Sequence, residues 1–303
     1  MAFWSKRAAA PVAPAATPSA PEGPNPEGHG ILRRGLAFAG VGVLGAFAGV
    51  QLRPARALPT SPEITDMTWM DVRDAVARGA TTVIVPSGGL EQNGPHMIIG
   101  KHDYIVRWAA NRIAAELTNT LVTPVVSYVP EGDYEPPTMN MVLPGTLGVP
   151  VPVFEAVLEG IARSLKHAGF KTICMIADHG PSVAPQARVA ARLTAEWRDA
   201  GVRVLGIDSY YADAAETAYL TSQGETPETM DGHASISDTS ELMAVHPAGV
   251  DLTRLPLLKI KLRAEGADGD PSRSTIARGD AMMALKVNAA VAQIRAGMQS
   301  AQG

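Results

Sequence analysis

Four short apolar runs, at residues 81–86, 121–129, 171–177 and 202–207, limit the fold more than any other feature of this chain. Segments of helical periodicity lie between them: 103–117, with Ile105, Trp108, Ala109, Arg112 and Ile113 at helical intervals; 153–168, with Phe154, Val157, Leu158, Ile161 and Leu165 on one face; and 184–200. A hairpin turn cannot span connections of that length, whereas a helical crossover between parallel strands needs it. The expectation is an α/β fold whose mostly parallel sheet is covered on both faces. Further helices are expected at 71–78, stopped by Gly79, and at 281–298.

Sheets of this kind gather ligands at the carboxyl ends of their strands. Here the first run leads to Glu91, the second to a Pro-rich loop at 130–146, the third to Asp178-His179-Gly180-Pro181, and the fourth to Asp208-Ser209-Tyr210-Tyr211. The densest of these ends runs from Ser87-Gly88-Gly89 through Glu91-Gln92-Asn93-Gly94-Pro95-His96 to Lys101-His102-Asp103, and offers Glu91, His96, His102 and Asp103 within thirteen residues. Carboxylates and imidazoles together suit Zn²⁺, Mn²⁺ or Fe²⁺, and glycines allow a loop to fold so that separated donors converge. A solvated polar loop uses the same residue types, and the short zinc spacing H-E-x-x-H is absent. A third cluster, at 231–243, carries His233 after a glycine and then Asp238, which also fits the cap of a helix running towards Val245.

These words, in this order, resemble the creatininase family (creatinine amidohydrolase and relatives). G-G-L-E-Q-N-G-P-H corresponds to the family's Gly-Ser bend and E-Q-H-G-P-H, Leu143-Pro144-Gly145-Thr146 to F-P-G-T, Asp178-His179-Gly180 to a strand-end histidine motif, and residues 232–243 to G-H-A-G-x-x-E-T-S-x-M-L. The resemblance implies a three-layer α/β/α sandwich, a divalent metal with zinc foremost and manganese or iron as alternatives, a hexameric or other ring-like homo-oligomer, and hydrolysis of a small linear or cyclic amide. It also implies roles: Glu91, His102, His179 and Asp238 as metal ligands, His233 as the catalytic histidine, and His96 orienting a ligand from behind. Asp103, Asp178, Asn93 and Asn140 are additional candidates.

The departures are chemical. Asn93 stands where the family has a metal-binding His, His102 where it has a bridging Asp, Asn140 where a His is usual, and Pro181 where some members carry a carboxylate. A neutral imidazole offers one lone pair where a carboxylate offers two oxygens, so one firm metal site is expected and a second is left open. Three readings therefore stand: a metal-dependent amidohydrolase, a binding-only relative with a degraded metal centre, and a lyase or peptidase on the same scaffold.

A net charge of −4, with no basic stripe, argues against nucleic acid as a partner. The single cysteine, Cys174, lies inside an apolar run and reads as a core residue. His29, His167 and His246 read as solvated or locally capping. Residues 1–57 read as a leader: an Ala/Pro/Gly-rich tract, then Arg33-Arg34, an apolar segment at 35–50, and Ala55-Arg56-Ala57. Paired arginines, an apolar core and an A-x-A ending suit a twin-arginine export signal cleaved after Ala57. That placement implies a periplasmic protein, with residues 58–303 as its catalytic domain and no membrane contact beyond the signal. An uncleaved anchor is the alternative, although the segment is shorter than the ~20 residues a span needs.

Overall fold

The computed structural model describes residues 60–211, 213–230, 232–257 and 262–299. The expected leader and export signal lie outside the described residues, as do Asp231 and part of the tail. Twelve regular elements concern the argument. They are α1 (Trp69–Ala77), β1 (Thr82–Ser87), α2 (Lys101–Leu117), β2 (Thr120–Val122), α3 (Val151–His167), β3 (Thr172–Ala177), α4 (Gly180–Glu196), β4 (Arg203–Gly206), α5 (Asp213–Ser222), α6 (Pro227–Met230), α7 (Ile236–Val245) and α8 (Ile276–Gln299). Among the described residues no helix is long and apolar enough to cross a membrane.

All strand pairs are parallel, in the order β2-β1-β3-β4. Both central strands are buried along their whole length, and successive side chains leave opposite faces. Ile84, Cys174 and Ile176 enter one core with Ile105, Ala109 and Ile113 of α2 and Met283, Val287 and Ile294 of α8. Val83, Val85, Ile173 and Met175 enter the other with Phe154 and Leu158 of α3 and Val189 and Leu193 of α4. Helices thus cover both faces, as the α/β/α expectation requires. Each fully buried aliphatic side chain contributes about 1.5–3 kcal/mol.

Two boundaries differ from the sequence reading. The second strand, expected over 121–129, is regular only to Val122. The Thr123 N–H still donates to the Ile84 carbonyl at 3.0 Å, but the next bond to β1 is displaced by one residue, from the Val126 N–H to the Pro86 carbonyl at 2.9 Å. Helix α4 begins at Gly180 rather than at 184: Pro181 occupies its first turn, where a missing N–H costs nothing, and Pro185 is absorbed inside the helix. Both shifts carry site residues, since the chain beyond β2 leads to Glu131 and the start of α4 fixes His179.

Candidate metal centre

Glu91 leaves the end of β1 and is held by its own loop, its N–H donating to the Ile99 carbonyl at 3.2 Å. The two carboxylate oxygens have different neighbours. Oε1 lies 2.6 Å from His102 Nε2, 3.3 Å from Lys101 Nζ and 3.6 Å from His233 Nδ1. Oε2 lies 3.1 Å from His179 Nε2 and accepts a close hydrogen bond from Asn140 Nδ2.

On the Oε2 side stands Glu131, which is fully buried. Its own Oε2 is 3.1 Å from His179 Nε2 and accepts from Asn140 Nδ2 at 3.0 Å. Its Oε1 is buried with no hydrogen-bond partner among the described residues. Gly132 makes this placement possible: its φ is +121°, and a Cβ there would lie 2.3 Å from the Thr138 carbonyl oxygen. His179, the residue preceding α4, is placed by the end of β3.

The ligand atoms of Glu91, Glu131 and His179 lie within 4.8 Å of one another, and among the described residues they are the group able to hold a metal ion. Two carboxylates and an imidazole fit zinc or manganese, and the unpartnered Glu131 oxygen has a lone pair that nothing else uses. Burial opposes a charge on His179, but Glu131 and Glu91 outweigh it and raise the ring to about 9. A proton on Nε2 then sits between the carboxylates, where a cation would otherwise bind.

A second network stands behind Glu91. His102 Nδ1 is 2.8 Å from Asp178 Oδ2, whose other oxygen accepts from Tyr210 and from Lys286 Nζ, each at 2.8 Å. Lys286 also reaches Glu241 Oε2 at 3.0 Å. Burial and Lys101 disfavour a charged His102, yet Glu91 and Asp178 outweigh them and raise its pKa. Burial pushes the Glu241 carboxyl well above its ordinary range despite Lys286 beside it.

Several residues expected at the metal meet other partners in the fold. His102, expected to bind metal, has Asp178 at Nδ1 and Glu91 at Nε2. Asp238 was also expected as a ligand. Its Oδ2 accepts the Ala234 N–H at 2.8 Å and lies 2.9 Å from Lys101 Nζ, so it ties the turn before α7 to the helix and partners the lysine. His96 does not line the cavity: its Nε2 meets Thr239 Oγ1 at 2.9 Å, and burial lowers its pKa to about 4, leaving a neutral brace for α7. Asn93 Nδ2 donates to the Glu91 and Ile98 carbonyls at 2.8 and 3.1 Å, pinning the loop. Asp103 accepts the Gly89 N–H at 3.1 Å and lines a separate cavity with Tyr104 and Arg107.

His233 does face the site. Its Nε2 donates to the Gln92 carbonyl at 2.6 Å, which leaves the Nδ1 lone pair directed towards Glu91. Gly232 sets that turn at φ +95°, where a Cβ would lie 2.3 Å from Asp268. Glu91, His179, His233 and Asn140 line one cavity of about 700 Å³ together with Lys101 and Lys286. Sequence reasoning missed Glu131, Lys101 and Lys286. Glu131 had a usable signal, a carboxylate followed by glycine just past an apolar run; Lys101 stood inside the central stretch beside His102, whereas Lys286 belongs to no motif.

A family model described as "Creatininase: Creatinine amidohydrolase" matches residues 65–294. A mycofactocin precursor peptide peptidase of Mycolicibacterium smegmatis is 26% identical over 234 residues, 70% of this chain and 84% of the relative. A creatinine amidohydrolase of Pseudomonas putida is 26% identical over 200 residues, 63% of this chain and 75% of the relative. Among solved structures, a manganese creatininase superposes with a TM-score of 0.63 at 22% identity, covering 78% of this chain and 98% of that one. A Zn–Zn form of a creatininase mutant matches with the same TM-score and identity.

Proposed function

Because this chain belongs to the creatininase family, we propose that it is a metal-dependent amidohydrolase cleaving the C–N bond of a small linear or cyclic amide. The observation that carries the reading is the convergence of Glu91, Glu131 and His179 from beyond three separate strands, with Glu91 and His179 lining one cavity. A cavity of about 700 Å³ is within the range of small-molecule sites. When bound there, a divalent ion lowers the pKa of water and polarises the substrate carbonyl.

The chain's own groups divide the remaining work. Asn140 ties Glu91 to Glu131 through one amide nitrogen and fixes their spacing. His233, with Nε2 committed to the Gln92 carbonyl, takes a proton at Nδ1 and returns it to the departing nitrogen. His102, held by Asp178, keeps Glu91 in register.

The test is turnover of a panel of cyclic ureides, lactams, formamides and short peptides by enzyme reconstituted with Zn²⁺ or Mn²⁺. Metal-dependent hydrolysis lost in Glu91→Ala supports the reading. Cleavage of the peptides alone moves it to a peptidase, and binding seen by thermal shift without turnover moves it to a binding-only relative. Export and homo-oligomerisation belong to the same proposal, resting on the leader motif and the family resemblance; cell fractionation and light scattering test them.

A further inference from the structure

We propose that Lys101 is a resident cation that fills a second ion position, so that the centre holds one metal and not two. This rests on the metal-dependent reading above. Lys101 is the first residue of α2, where the helix dipole disfavours a positive charge, and it is completely buried. A lysine in such a place is doubly costly unless anions enclose it. Two do: Asp238 Oδ2 at 2.9 Å and Glu91 Oε1 at 3.3 Å.

The donors that hold this ammonium are carboxylate oxygens, and Glu91 Oε1 also has His233 Nδ1 3.6 Å away. Without the lysine, both oxygens would be open to a divalent ion. With Lys101 present that place is taken, and Glu91 keeps only Oε2 for the ion shared with Glu131 and His179.

The experiment is zinc titration of metal-stripped full-length protein, read by elemental analysis and thermal shift rather than by activity. Wild type is expected to bind about one equivalent. Lys101→Ala is expected to take up a second and to gain a larger zinc-induced rise in melting temperature. Two equivalents in wild type, or one in both proteins with equal thermal shifts, overturns the proposal while leaving the amidohydrolase reading intact. No zinc or manganese in wild type overturns both. Should Lys101→Ala fail to fold, anomalous scattering from metal-soaked wild-type crystals decides: one peak, between residues 91, 131 and 179, supports the proposal, and a second beside Glu91 Oε1 overturns it.

Discussion

His102 is clamped between Asp178, 2.8 Å from its Nδ1, and Glu91, 2.6 Å from its Nε2. The two carboxylates follow different strands, so this one ring couples the ends of β1 and β3. Asp178 also neutralises Lys286, and removing one partner from a buried charge network typically costs about 3–5 kcal/mol. Asp178→Asn is therefore expected to destabilise the protein by about that amount and to lower turnover while metal content holds. Urea unfolding alongside elemental analysis checks both parts.

Glu131 separates the candidate metal site of the fold from the ligand set expected in the sequence. Partners that only orient a ligand change metal affinity by about 10–100-fold. Glu131→Gln is expected to exceed about 100-fold, whereas His102→Gln falls inside that range. Competition with a chromophoric chelator measures both; equal losses in the two variants would remove Glu131 from the ligand set.

Acid stability should depend on a site far from the metal. Glu225 is buried with its oxygens 2.7 Å from Arg273 Nε and 2.6 Å from Arg278 Nη2, which pins the start of α8 to the turn after α5. Hydrogen bonding to Arg273 leads, burial opposes, and the carboxyl falls from its ordinary 4.5 to about 2. A lowered carboxylate pKa stabilises the fold above the unfolded value, and that contribution disappears as pH falls from 4.5 to about 2. With Arg273 partly exposed, about 1–2 kcal/mol is expected. The melting-temperature gap between wild type and Glu225→Gln should close across that window; a constant gap would refute it.

Cys174 should be chemically silent in the native state. Burial in the core beneath α2 and α8 pushes its thiol up to about 12. A disulfide exchange reagent at about pH 8 is expected to label it only as fast as the protein unfolds. Rapid labelling without denaturant would contradict the packing described here.

Much of this architecture is legible in local pattern. Ile84 and Val85 point to opposite cores because strand side chains alternate, a property of neighbouring residues that needs no tertiary information. The same holds for the helical faces of Phe154 with Leu158 and of Ile105 with Ala109. Boundaries are harder to read, since β2 ends where its bonding to β1 shifts by one residue between Thr123 and Val126, and α4 starts at Gly180 ahead of Pro181. His233 was identifiable from its motif, but the tautomer that frees its Nδ1 depends on the Gln92 carbonyl, 141 residues away.

The sequence by itself determined the alternation of strands and helices, and with it that polar loops would collect at one end of a parallel sheet. Hydrophobic periodicity is sufficient for that, because it acts between residues a few positions apart. Only the tertiary structure decided which donors meet: Glu131 joins Glu91 and His179, while His102 and Asp238 turn to Asp178 and Lys101. Those pairings are set by strand order, by loop paths past glycines, and by the need to balance every buried charge, none of which is encoded in the spacing of a motif.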